Sequence, residues 1–144
     1  MIKKMIRVFL LTLLFLIASC NKHERFVQIT KDLKWVYFDE TDSALLWKEN
    51  LIVGSGSITL KCEKNYVWGM CHKNNVSLFF MINLKTGDII KNPDIKDVVY
   101  KYNIMIDINK SYTQSEIFGE HRSRLAIERL QEDIKQIQQS KSDL

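Results

Sequence analysis

Histidine is scarce in this chain, with three in 144 residues. His23, His72 and His121 are dispersed, and no two stand at i and i+4 with a third ligand nearby, so metal-site spacing is missing. Glycine is also thin, at five, and builds no phosphate-binding loop. The cluster Gly54-Ser55-Gly56-Ser57 lacks the five-residue spacing of a nucleophile elbow and precedes a strand, so it reads as a flexible turn. Cys71-His72 sets a thiol beside an imidazole, but strand neighbours point to opposite faces and cannot form an activated pair. No pair of carboxylates stands alone in an apolar setting. These absences set the expectation of no catalytic residue, no metal, no cofactor and no enzymatic activity. A membrane-spanning run is missing too. Residues 8 to 18 are apolar, whereas a spanning helix needs about 20 such residues. Proline occurs once and 46% of residues are hydrophobic, so the body can bury a core and is not disordered.

What stands at the N-terminus is ordered by chemistry. Lys3, Lys4 and Arg7 precede the apolar run from Val8 to Ala18, and Ile17-Ala18-Ser19-Cys20 closes it. Positive charge, a short greasy segment and small residues form the pattern of a cleaved export leader. Together with Cys20 the segment resembles the signal peptide and lipobox of bacterial lipoproteins. That resemblance implies that Cys20 receives a diacylglycerol, becomes the first residue of the mature chain and is acylated again. Each buried methylene contributes ~0.8 kcal/mol, so several chains on one residue hold a protein to a bilayer where one barely does. Asn21 follows. In this family aspartate at that position resembles an inner-membrane retention signal, so asparagine favours the periplasmic face of the outer membrane in a Gram-negative cell.

Removing residues 1–19 leaves one domain's worth of chain. Lys3, Lys4 and Arg7 belong to the leader, and the 18 Lys and Arg that remain nearly balance 17 Asp and Glu. A body so close to neutral lacks the basic excess of a nucleic-acid binder. The expected organisation is a leader over 1–19, an acylated tether over 20–31, a β-rich domain over 32–110 and a C-terminal helix over 111–144.

The expected fold class is α+β: an antiparallel meander of five or six strands, then a short helix and a long amphipathic one. Strands are expected at Trp35 to Phe38, Ala44 to Val53, Ile58 to Cys62, Tyr66 to His72, Val76 to Asn83 and Ile89-Ile90. Asn74-Asn75 tolerates positive φ and marks a hairpin turn, and Lys85-Thr86-Gly87-Asp88 marks another. Asn92 is the expected N-cap of a short helix from Pro93 to about Tyr102. Ile104 to Ile108 alternates like one more strand. Thr113-Gln114-Ser115-Glu116 matches a capping box opening a helix to about Gln139. Along it Ile127, Leu130, Ile134 and Ile137 form one narrow stripe, which either packs on the protein's own sheet or docks on a partner.

Two cysteines remain in the body. Cys62 and Cys71 are an even pair in an exported chain, where disulfides persist, and closing that loop would contribute roughly 2–3 kcal/mol. Against a bridge, a tight turn at Glu63 to Asn65 leaves Cys71 several residues along the partner strand. The rival reading makes both buried small hydrophobes. Trp35, Tyr37, Trp47, Tyr66 and Trp68 are the candidate partner-binding set, because aromatics dominate binding hot spots; they also fill cores.

Tyr66-Val67-Trp68-Gly69 followed by Phe80-Met81-Ile82-Asn83-Leu84-Lys85-Thr86-Gly87-Asp88 is similar to a hairpin of small immunity-type lipoproteins, over about 25 residues. The functional expectation is a lipoprotein held to the bilayer through Cys20 and binding a protein partner, such as a toxin or hydrolase that it neutralises. The alternative is an assembly lipoprotein docking through its C-terminal helix; a third is an enzyme acting on envelope material.

Overall fold

The computed structural model describes residues 25–105, 111–119 and 123–140, together with Ile2. Cys20 lies outside them. Seven strands follow one another as an antiparallel meander: β1 (Arg25–Gln28), β2 (Leu33–Asp39), β3 (Asp42–Trp47), β4 (Asn50–Glu63), β5 (Tyr66–Lys73), β6 (Val76–Asn83) and β7 (Ile89–Lys91). An eighth, β8 (Tyr112–Thr113), pairs with β4. Among the residues from Arg25 onward that are described, three helices complete the order: α1 (Ile95–Tyr100), α2 (Gln114–Phe118) and α3 (Ser123–Gln139). The α+β class holds, with more strands than the five or six expected. Among the described residues no helix is long and apolar enough to cross a membrane.

The extra strands have local causes. Lys48 and Glu49 both take positive φ, 49° and 64°, so a tight hairpin divides Ala44 to Val53, expected as one strand, into the end of β3 and the start of β4. Neither residue is the Gly, Asn or Asp that normally signals such a turn. Arg25 to Gln28, expected in the tether, pair with Lys34 to Tyr37 of β2. Conversely, Gly54-Ser55-Gly56 is no turn. It is the bent middle of β4, a bulge with Ser55 at φ 62°, where Ser43 pairs with Gly56 but Ala44 with Gly54. Gly56 is required by close approach: a Cβ there would stand 2.7 Å from both Cys71 Sγ and His72 O.

That bend lets β4 change partners. Up to Gly56 it pairs with β3, and from Ser57 to Glu63 it pairs with β5. β8 then lies against Thr59 and Leu60. The curled sheet wraps its inner face around α2 and α3. Trp35, Leu45, Ile58, Leu60, Phe80 and Ile82 from the sheet form one core with Ile117, Phe118, Ala126, Leu130 and Ile134 from the helices. A smaller cluster, Trp68, Met81, Val98 and Ile104, fills the space between α1 and the opposite face of the second half of the sheet.

The helix starts show one success and one correction. Thr113 and Glu116 form the expected capping box, each side chain accepting from the other's backbone N–H. The helix it opens stops at Phe118, because Gly119 turns extended (φ −67°, ψ 159°), and α3 begins anew at Ser123. The long helix is therefore two. Asn92 is not the cap of α1: its φ of 49° is left-handed, and Asp94, extended, accepts from Lys96 N at 2.8 Å instead. Ile104 and Met105 are not in a strand, and the rest of that expected strand, 106–108, lies outside the described residues. The stripe on α3 packs on the protein's own sheet, with Leu130 and Ile134 buried and Ile127 and Ile137 partly so.

Candidate functional site

The three tryptophans are core, not binding surface. Trp35 is fully buried and Trp47 and Trp68 are 5% exposed. Strand alternation explains it: Leu33 and Trp35 point to the face that the helices cover, and Trp47 lies opposite Leu33 on the neighbouring strand. The two tyrosines of the candidate set, Tyr37 and Tyr66, are half-buried. Tyr66 meets Tyr102 edge to face at 5.7 Å, beside the smaller cluster. Tyr37 stacks on Phe118 with ring centroids 4.9 Å apart, and it lines an open cleft.

This cleft has a volume of about 530 Å³. β1 supplies Arg25, β2 supplies Tyr37, the following turn supplies Glu40, and α2 supplies Ser115 and Phe118. The Arg25 guanidinium lies 5.4 Å from the Tyr37 ring centroid, and its Nη2 donates to Phe118 O at 2.9 Å. A flat aromatic pair is thus flanked by a cation and a carboxylate. The ring faces offer apolar area and the charges offer orientation.

A buried polar network fixes the floor. Ser43 and Gln114 are the buried polar residues among those described. Gln114 Oε1 lies 2.7 Å from Ser43 Oγ and 3.3 Å from Ile58 N, while Gln114 Nε2 donates to Asp39 O at 2.7 Å. Trp35 Nε1 donates to Ser43 Oγ at 3.1 Å. The side chain that follows the capping Thr113 therefore locks α2 against the bend in β4 and the β2–β3 turn.

Cys62 and Cys71 are free thiols. Cys62 pairs with Val67 and Cys71 with Ile58, so both point to the inner face but stand four residue steps apart, ~13 Å along the strand. A disulfide needs Cα atoms within about 7 Å, and the expected bridge does not form. Cys62 borders a shallower depression of about 370 Å³ with Lys61, Glu63 and Asp133. Burial, and then the Asp133 charge, push its thiol up to about 12. Tyr112, whose hydroxyl donates to Asp133 Oδ2, is raised by burial and by that bond. Cys71 is raised by burial and then by Asp42. All three groups hold their protons, the opposite of what a nucleophile needs. His72 is exposed, with Nδ1 2.9 Å from Ser77 Oγ. Among the described residues no group of His, Cys, Asp and Glu is arranged to hold a metal.

Reading the sequence alone singles out Tyr37 in this cleft and misses Arg25, Glu40 and Phe118. Phe118 carries a signal in hindsight, since it stands four residues beyond Gln114 on the face of a capped helix. Arg25 and Glu40 carry none, because turn and edge residues of either charge are ordinary. Compared with known proteins, the chain matches no family model, no curated protein and no solved structure.

Proposed function

We propose that this chain is a membrane-anchored lipoprotein of the cell envelope whose folded body captures a protein partner without chemistry, as an immunity or inhibitor protein does. The observation that carries the reading is the distance between anchor and cleft. Cys20, closing a correctly built leader, stands five residues before Arg25, and five residues span at most ~18 Å. The cleft around Arg25, Tyr37, Glu40 and Phe118 thus sits within a short reach of the bilayer that the acyl chains would enter. The periplasmic face of the outer membrane is the favoured location in a Gram-negative cell. The assembly alternative loses its main support, because Leu130 and Ile134 of the helix stripe are covered by the protein's own sheet.

Two measurements test the proposal. Intact mass of the product extracted from bacterial membranes should show an acylated chain beginning at Cys20, and Cys20→Ser should abolish acylation; a product that keeps its initiator Met1 and carries no lipid overturns the anchor. Crosslinked capture from envelopes should recover a partner with the unaltered chain and lose it with Tyr37→Ala or Arg25→Glu. Hydrolytic activity on envelope material without a recovered partner overturns the binding role.

A further inference from the structure

We infer that the outer face of strands β1 to β4 lies against the lipid surface, which orients the body so that its cleft is presented away from the bilayer. This rests on the reading of Cys20 as the anchor. Four strands place one apolar row on that face: Phe26 pairs with Val36, Val36 with Ala44, and Ala44 with Gly54. Leu51 extends it, since its Cδ1 is 3.2 Å from where a Cβ on Gly54 would stand, and Ala44 Cβ is 3.3 Å from the same point. Val36 and Ala44 are 8% and 7% exposed, yet they are the buried apolar residues that belong to neither core cluster. Both stand in the middle of the row. At its ends Phe26 and Leu51 remain 58% and 57% exposed. On the next row, Lys34 Nζ sits 5.2 Å from the Phe26 ring centroid and 3.1 Å from Glu49 Oε1, so charge lies at the margin and the row itself is uncharged.

Two facts choose lipid over protein as the occupant. The chain from Cys20 to Phe26 is six residues, at most ~22 Å when fully extended, so the row starts within that reach of the anchor. Its two exposed apolar side chains, Phe26 and Leu51, also fall short of the contiguous apolar core that a stable protein interface buries. A face already tethered by acyl chains needs no such area, because the anchor supplies the affinity and the row only has to favour one orientation. Phe26 and Leu51 at the two ends are suited to enter the boundary between headgroups and acyl chains, where an apolar face sinks ~5–10 Å.

The test uses the native product extracted from membranes, its acylation read by mass, reconstituted into phosphatidylethanolamine and phosphatidylglycerol vesicles with or without brominated acyl chains. Phe26→Trp and, separately, Leu51→Trp place a reporter at each end of the row; Tyr100→Trp, at a position 84% exposed on α1, is the control. Phe26→Trp and Leu51→Trp emission should fall in brominated vesicles while Tyr100→Trp emission holds. Acylated protein in which the three reporters respond alike overturns the orientation and leaves the anchor standing. Protection of the row reporters by a second copy or a bound protein, without bromine quenching, overturns it as well. An unacylated product overturns the anchor and the orientation with it.

Discussion

Ser43 and Gln114 stand 71 positions apart in the chain and 2.7 Å apart in space, Oγ to Oε1. The pair ties the start of β3 to the first turn of α2 at the point where β4 bends. Gln114→Ala would remove the side chain that Ser43 Oγ, Ile58 N–H and Asp39 C=O share, leaving Ser43 with Trp35 Nε1 and Gly56 O. The expected cost is about 2–4 kcal/mol, since buried polar groups left unpaired lose their full solvation. Ser43→Ala should cost less, about 1–3 kcal/mol, by orphaning Trp35 Nε1. Urea unfolding of both variants and of the double mutant checks this; additive losses would show that the two side chains do not act as one unit.

The proton-holding groups predict an alkaline loss of stability. Cys62 rises from an ordinary 9.0 to about 12 in the fold, so the native state keeps a proton that the unfolded chain releases. Its contribution is complete below pH 9.0 and is lost as pH climbs toward about 12. Tyr112 and Cys71 shift in the same direction and add to the fall. Urea midpoints measured on both sides of pH 9.0 should decline through that window. Asp133→Asn should lower the Cys62 titration only in part, because burial is the larger cause and the Asp133 charge the smaller. Thiolate absorbance gives the readout, and a Cys62 that titrates near 9.0 in the unaltered protein contradicts the placement.

The meander, its Asn74-Asn75 turn and the capping box at Thr113 were legible because each rests on local chemistry. The start of α1 was not, and its correction is testable. Asn92 before Pro93 has the composition of a cap, yet its left-handed φ of 49° makes it a turn residue. The cap falls to Asp94. Asp94→Ala should therefore cost about 1 kcal/mol. Asn92→Gly should be near neutral, since glycine adopts positive φ without strain. Equal losses at the two positions, measured by thermal unfolding, would restore Asn92 as the cap.

The cleft was less legible than the fold, for a physical reason. Composition shows which side chains favour interfaces, but burial decides whether they reach one. Trp35, Trp47 and Trp68 obey the same period-two alternation as the aliphatic residues around them, which turns Trp35 and Trp47 to the inner face and Trp68 to the face that α1 covers. Arg25 and Phe118 stand 93 positions apart in the chain, and with Glu40 they meet only once β1, the β2–β3 turn and α2 are folded together.

The last prediction separates a helix that completes the fold from one that docks elsewhere. Leu130 and Leu125 stand on the same helix, five residues apart, one at 0% and the other at 59% exposure. Leu130→Ala would open a cavity between α3 and the sheet and should cost about 2–5 kcal/mol. Leu125→Ala removes a side chain that lies largely in solvent and should fall within about 0.5 kcal/mol of the unaltered protein. Denaturant titration of the two variants reads the difference directly. Were α3 held in place by a partner instead of by its own sheet, the isolated protein would unfold at the same denaturant concentration with either substitution. The apolar stripe would then have to be assigned to assembly.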